Sequence, residues 1–324
     1  MNTIGILTSG GDSPGMNACV AAIVRDARGR GLKAVGILRG FEGFVEGRAL
    51  ELKERDVAGV SGKGGTFLMT SRNGALKAKL KASDISGMYD KLGIDSLIVL
   101  GGGGSMAAAG MIADAGFPVV TVPCTIDNDV KGTDYTIGFD TACNHVIRAA
   151  DEITDTGQSL EGRVFLIETL GGDTGHIAVA SALAIGADAV LVPEVKSDLE
   201  AVCNRLRVAM DGSRPYSVIV VAEGAGPAQK LVDPIADLTG RRVRVTALGH
   251  AQRGGNPTYW DRTMARRFGE MAVRLLADGE TGVMTAMSGG VLIDVPLSIP
   301  CGGAKPFDLK TYNLVNRFAG IPGG

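Results

Sequence analysis

Short apolar runs recur along the chain. Each is closed by Gly, Ser or Asp and followed by a stretch whose apolar residues return every three or four positions. The runs predict strands over Ile4–Ser9, Leu32–Leu38, Ser96–Leu100, Phe117–Val122, Val164–Thr169, Ala189–Val192, Tyr216–Ala222 and Val243–Leu248. Helical patterns lie between them. One covers Ala18–Arg28, and another starts in Phe139-Asp-Thr-Ala with Cys143, Val146, Ala150 and Ile153 on one face. Ser197 with Glu200 reads as a capping box ahead of the stripe Leu199, Cys203, Leu206 and Met210, and Asp261 opens a helix whose stripe is Met264, Phe268, Met271 and Leu275. Strand and helix in alternation imply α/β layers with mainly parallel sheets and right-handed crossovers. From Val283 onward the chain is rich in Gly and Pro, and the pattern predicts no definite element.

The 324 residues suffice for about two domains, and 45% hydrophobic with 21% charged residues is an ordinary folded composition. The formal charge of −2 provides no global attraction to nucleic acid or an anionic membrane. Cys19, Cys124, Cys143, Cys203 and Cys301 show no CxxC spacing, which argues against a disulfide framework or a structural zinc site. No apolar run is long enough to span a bilayer and the first residues do not read as a signal peptide, so a cytoplasmic protein is expected. Glycine is the outlier: 48 residues, clustered behind apolar runs.

Parallel sheets place ligands beyond the carboxyl ends of their strands. Four loops are expected there: Gly10–Asn17, Gly101–Ser105, Thr125–Asp129 and Glu168–His176. Gly10-Gly-Asp-Ser-Pro-Gly-Met-Asn17 lets backbone amides approach an anion at a helix start, and equally makes a tight strand-to-helix turn. It is neither a Walker A sequence nor GxGxxG. Gly101–Gly104 leaves only amides and the Ser105 hydroxyl on its wall. Asp127 and Asp129, two apart in one turn, suit a general base and a metal or orienting carboxylate, whereas Asn128 reads as an Asx turn. Arg72, Arg163, Arg244 and Arg253 offer planar forks for phosphate. His250 shares a glycine-rich loop with Arg253. Glu223, at a strand end, suits sugar hydroxyls or a helix cap, and His145 reads as structural. With no nucleophile elbow, Cys-His pairing or zinc motif, the set points to phosphoryl transfer.

The segments Gly10–Asn17, Pro123-Cys-Thr-Ile-Asp-Asn-Asp129, Gly132-Thr-Asp-Tyr-Thr-Ile-Gly-Phe-Asp-Thr-Ala142 and Gly249-His-Ala-Gln-Arg-Gly-Gly255 resemble the bacterial-type 6-phosphofructokinase family, from residue 3 to about residue 280. The resemblance implies two interleaved three-layer α/β domains with mainly parallel sheets. It assigns residues 1–138 plus 251–300 to donor binding and 139–250 plus 301–324 to the sugar phosphate. It implies transfer of the γ-phosphoryl of ATP, with Mg2+, to the 1-hydroxyl of fructose 6-phosphate, Asp127 being the base. Thr125, Asp129, Glu223, His250 and Arg253 would hold the sugar end. Gly11, Arg72, Gly104 and Ser105 would line the donor. Arg163 and Arg244 would reach the sugar phosphate of a neighbouring subunit in a homotetramer or dimer with shared sites.

Diphosphate-dependent members of that family have Asp at the position of Gly104 and Lys at that of Cys124, so this chain resembles the ATP users. It departs from the family at three places. Gly103 replaces an acidic metal ligand, which shifts the metal role to Asp129; Gly172 replaces an arginine, with Asp173 new beside it; and Cys124 replaces the usual Gly. Effector-site basic residues are thinned as well, since Arg25 is kept but Ala21 and Glu54 stand at two other positions. Alternatives are a kinase for another sugar phosphate, a catalytically weak or inactive sugar-phosphate-binding regulatory protein, and a diphosphate-dependent phosphofructokinase.

Overall fold

In the computed structural model, which describes residues 1–71, 82–212 and 214–319, strands and helices alternate along most of the chain. The strands are β1 (Thr3–Thr8), β2 (Lys33–Ile37), β3 (Ala49–Leu52), β4 (Ser96–Gly101), β5 (Val119–Pro123), β6 (Arg163–Thr169), β7 (Ala189–Leu191), β8 (Tyr216–Ala222), β9 (Arg242–Ala247), β10 (Val283–Ser288) and β11 (Val291–Pro296). The first helices are α1 (Met16–Gly29), α2 (Gly40–Glu46), α3 (Ala82–Leu92), α4 (Gly103–Asp114), α5 (Phe139–Ser159) and α6 (His176–Ile185). Then come α7 (Leu199–Asp211), α8 (Val232–Thr239), α9 (Tyr259–Ala277), α10 (Ser298–Cys301) and α11 (Leu309–Phe318). The chain forms two units, each drawn from two stretches: Met1–Thr141 with Arg253–Pro306, and Ala142–Gln252 with Phe307–Gly324.

The first unit holds a seven-stranded sheet in the order β11-β10-β5-β4-β1-β2-β3. Its interior pairs are parallel, and only β2–β3 and β10–β11 run antiparallel. Every residue of β4 and β5 is buried because both faces of the sheet are covered. On one face Ile4, Ile6, Ile98, Leu100, Val120 and Val122 pack with Ile23 of α1 and Met264, Phe268 and Met271 of α9. On the other, Leu7, Val99 and Val119 meet Phe44 of α2, Tyr89 of α3, and Met106 and Ile112 of α4. Burying a side chain such as Phe268, which is 0% exposed, contributes roughly 1.5–3 kcal/mol.

The second unit has four parallel strands in the order β7-β8-β6-β9. Val164, Leu166, Ile219 and Val221 pack with Leu206 and Met210 of α7 and Ile235 of α8. On the opposite face Val220 and Ala222 pack with Ala178 and Ala182 of α6 and Val315 of α11.

Three strands lay outside the sequence expectation. β3 is an edge strand with only Leu52 buried, so its apolar pattern is weak. β10 and β11 form a hairpin closed by Gly289 and Gly290, both at positive φ, the two-residue turn that matches strand twist. The helix caps shift too. Asp198, not Ser197, caps α7, its Oδ1 accepting from the Ala201 amide at 3.0 Å in place of a Ser197–Glu200 box. Thr258 caps α9, which releases the Asp261 side chain for other partners. Among the described residues no helix is long and apolar enough to cross a membrane.

Candidate active site

In the first unit the carboxyl ends of the adjacent strands β1, β4 and β5 bring three predicted loops side by side. The Ser9 amide donates to the Leu100 carbonyl at 2.9 Å, and the Cys124 amide to the Gly101 carbonyl at 2.9 Å. Gly101 sits so close to its neighbours that a Cβ there would lie 2.3 Å from Ser105 Oγ and 2.7 Å from the Ser9 carbonyl oxygen. A Cβ on Gly102 would rest 3.4 Å from Thr125 Cβ, so the glycine run lies against the acidic turn. At Gly103 the same position meets nothing within 4 Å. Because α4 begins at Gly103, the amides of Gly103, Gly104 and Ser105 belong to its first turn, and those of Met16 and Asn17 to the first turn of α1. First-turn amides, together with the helix dipole, favour an anion such as phosphate.

Gly11 lies half-buried in the β1–α1 loop, and Ser105 is buried beside Gly10. Asn17 is a brace. Its Nδ2 donates to the Lys63 and Gly64 carbonyls and its Oδ1 accepts from the Phe67 amide, while Thr70 Oγ1 donates to the Gly10 carbonyl. Segment 63–70 is thereby tied to the β1 loop. Arg72, which follows it, lies outside the described residues.

The turn behind β5 places Asp127 and Asp129 half-buried. The Asp127 amide donates to Thr125 Oγ1 at 3.3 Å, and that hydroxyl approaches Asp127 Oδ2 at 3.4 Å, so Thr125 orients the carboxylate. Asn128 differs from the Asx-turn expectation. It adopts φ 51° and turns Nδ2 to the Asp134 carbonyl, bonding six residues along instead of its own turn. Burial pushes the Asp129 carboxyl above its ordinary value, opposed by Lys305. The Lys305 amide donates to the Asp129 carbonyl and its Nζ to the Asp134 carbonyl, both at 2.8 Å. Cys124 is 1% exposed, packs with Cys19 and Ile137, and burial pushes its thiol up.

In the second unit the loop after β6 is pinned from both neighbouring strands. Glu223, at the end of β8, accepts the amides of Gly171 at 3.0 Å and Gly172 at 2.7 Å on one oxygen, Oε1. Gln252, which follows β9, accepts the Leu170 amide at 2.7 Å. Further along the loop Glu194 accepts the Gly175 amide at 2.8 Å. Gly172 has φ 59° with nothing within 4 Å of a Cβ position, and Asp173 beside it is exposed. His250 and Arg253 share a short 3-10 turn over Gly249–Arg253, His250 exposed and Arg253 half-buried in the first unit's portion.

Arg163 and Arg244 stand apart from this cluster. Arg163 is the first residue of β6, six residues before Thr169, so roughly 20 Å of strand separates it from the loop. Arg244 registers with Phe165, which puts it on the same face as Arg163 two positions along. Of the thinned effector positions, Ala21 is buried and Glu54 pairs with Arg28 at 3.6 Å on the surface.

Sequence reasoning missed Gln252, Glu194 and Lys305. Gln252 is 0% exposed inside a motif already singled out, and a glutamine between glycine-flanked His and Arg was a readable cue. Glu194 and Lys305 act on backbone from distant stretches, which no local pattern reports.

For a metal, among the described residues no three His, Cys, Asp or Glu side chains cluster as a ready cage. Two carboxylates beside the glycine loops nevertheless fit Mg2+, which commonly takes one or two carboxylates and completes its shell with substrate phosphates and water.

The sequence model described as Phosphofructokinase matches residues 3–276, most of the chain. The chain belongs to the phosphofructokinase family. It is 43% identical to the ATP-dependent 6-phosphofructokinase of Clostridioides difficile over 317 residues, covering 97% of this chain and 98% of that one. With that of Natranaerobius thermophilus it is 44% identical over 314 residues, with the same coverage. Phosphofructokinase from Saccharomyces cerevisiae superposes with a TM-score of 0.84 at 30% identity over 93% of this chain, which spans 45% of the yeast chain. The Pichia pastoris enzyme in its T-state gives 0.83 at 29% identity over 93% of this chain, which spans 35% of that chain. A pyrophosphate-dependent phosphofructokinase from Marinobacter aquaeolei shares the fold, with a TM-score of 0.86 at 18% identity over all of this chain and 93% of its own.

Proposed function

We propose that this chain transfers the γ-phosphoryl group of ATP to the 1-hydroxyl of fructose 6-phosphate, giving fructose 1,6-bisphosphate and ADP. The observation that carries this reading is the oriented Asp127 carboxylate in a turn directly against the glycine-rich start of α4, with the β1–α1 loop on the neighbouring strand end. Glycine loops without projecting side chains leave room for a nucleotide, in keeping with the near-full-length ATP-dependent relatives.

In this reading the amides of Gly103 and Gly104 at the start of α4, with Gly11 and the Ser105 hydroxyl, hold the donor phosphates, and Arg72 adds charge to them. Mg2+ would be held by Asp129 together with those phosphates, and when bound it neutralises phosphate charge. Asp127 accepts the proton from the sugar 1-hydroxyl as the oxygen attacks phosphorus, with Thr125 fixing the carboxylate. In the second unit Glu223 and His250 take sugar hydroxyls and phosphate, and Arg253 assists from its own turn. Glu223 has a further part, since Oε1 shapes the Gly171–Gly172 loop. Arg163 and Arg244, remote from the β6 loop along their strands, serve the sugar phosphate of a neighbouring copy, so the working form is a homo-oligomer. A cytoplasmic location accompanies this activity.

A coupled assay with ATP, Mg2+ and fructose 6-phosphate tests the proposal. Asp127→Asn should keep the fold and lower kcat about 10²–10⁴-fold. Turnover that is negligible in the unaltered protein, or insensitive to this change, overturns it. Running diphosphate and other sugar phosphates in the same assay separates the alternative donors and acceptors.

A further inference from the structure

Asp261 lies at the start of α9 with 0% exposure, yet its carboxylate accepts four hydrogen bonds. The donors are the Tyr135 hydroxyl, the Gly138 amide, the Thr141 amide at 2.8 Å and the Thr141 hydroxyl. All four come from one short segment, residues 135–141, which runs from the loop before α5 into its first turn. The Thr258 cap of the same helix adds two contacts, its amide to Thr141 Oγ1 at 3.1 Å and its hydroxyl to Asp140. Four donors converging on one sealed carboxylate hold that segment against α9 more tightly than packing would, because each would be stranded in the core without its acceptor.

The segment in turn holds the backbone that leads into the acidic turn. The Ile137 amide donates to the Pro123 carbonyl at 3.0 Å, and Thr136 Oγ1 donates to the Thr125 carbonyl at 2.6 Å. It also receives the β1 loop, since Ser13 Oγ donates to the Ile137 carbonyl at 2.6 Å. Gly138 and Gly15 permit this approach: a Cβ on Gly138 would fall 1.7 Å from Ser13 Oγ, and one on Gly15 would fall 2.5 Å from Ile137 Cγ2.

We infer that Asp261 is a positioning residue for phosphoryl transfer: through segment 135–141 it fixes the Pro123–Thr125 backbone from which Asp127 is presented. This inference rests on the base role proposed for Asp127. Asp261 touches no reacting atom. Its effect is on where the Asp127 carboxylate stands, and displacements of about 1 Å at such a site cost up to about 10²-fold in rate.

The test compares Asp261→Asn, Thr141→Val, Thr141→Ser and Leu276→Ala. The last is a core variant farther along α9, 4% exposed in the native protein, chosen to lose stability without touching segment 135–141. The readouts are hydrogen exchange of the amides over residues 124–129, and kcat and KM in the coupled assay. Asparagine keeps the shape but turns an NH2 toward donors. Asp261→Asn is therefore expected to speed exchange at 124–129 about tenfold or more. It should lower kcat by at least about tenfold with the KM for fructose 6-phosphate within about twofold. Thr141→Val should follow in the same direction and Thr141→Ser should remain near wild type. Leu276→Ala, brought to a comparable unfolding midpoint, should leave both readouts unchanged. Wild-type exchange and kcat in Asp261→Asn, or equal losses in Leu276→Ala, overturn the inference. If Asp261→Asn does not fold, the Val and Ser pair at Thr141 decides by the same readouts. A wild-type protein without turnover defeats the functional reading alone, while the exchange data still decide whether the brace exists.

Discussion

Removing the Glu223 side chain isolates the second unit's part in the reaction. Glu223 Oε1 accepts two amides, Gly171 at 3.0 Å and Gly172 at 2.7 Å, and the Gly172 end is exposed. Hydrogen bonds to a charged acceptor contribute about 1.5–3 kcal/mol each when sheltered. Solvent at the Gly172 end and screening of the half-exposed carboxylate reduce the pair to about 2 kcal/mol in total. At 1.4 kcal/mol per factor of ten, that is about 30-fold in the equilibrium between the pinned and released loop. Glu223→Ala should thus speed exchange of the Gly171 and Gly172 amides about 30-fold and raise the KM for fructose 6-phosphate by at least about tenfold. Glu223→Gln keeps one carbonyl oxygen able to accept both amides, so it should recover most of the exchange protection. Its KM should lie between those of the wild type and Ala. Paired exchange and kinetic measurements on the two variants check this. If Glu223→Ala raises KM while Gly171 and Gly172 exchange at the wild-type rate, the carboxylate acts on the sugar alone and the loop-holding argument fails.

Two further outcomes follow from the first unit. Burial raises the Asp129 carboxyl, so its charged form is disfavoured in the fold. Stability from this group is greatest below its ordinary value of 3.8 and declines as pH rises toward the raised value. Asp129→Asn should therefore raise the urea midpoint near neutral pH while lowering turnover and weakening the Mg2+ dependence, and denaturation and Mg2+ titrations read both. Gly138 has φ 105° and a Cβ there would strike Ser13 Oγ, so Gly138→Ala should cost about 2–5 kcal/mol in equilibrium unfolding.

Much of the fold was legible because its central strands are buried on both faces and most of its helices on one. β4, β5 and β8 read as continuous apolar runs, and the stripe Met264, Phe268, Met271 and Leu275 is the buried face of α9. The β10–β11 hairpin was locally readable yet missed: two apolar runs flank the Gly289-Gly290 turn, and the glycine- and proline-rich stretch that obscured it begins only after Pro296. The loops were predictable for a related reason. Glycine behind a buried strand marks where backbone must come close to something, and Gly101 does so against Ser9 and Ser105.

The sequence by itself determined the residue types of the site: Asp127 and Asp129 in one turn, glycine-lined helix starts, and Glu223 at a strand end. These are local because strand ends, turns and helix starts are written in contiguous residues. Tertiary structure alone decided what holds them. Asp261, 120 residues beyond Thr141, receives that segment's donors, and Gln252 receives the Leu170 amide from 82 residues away. A buried acceptor's choice of donor depends on which backbone groups packing strands near it, and that is settled only when distant stretches meet.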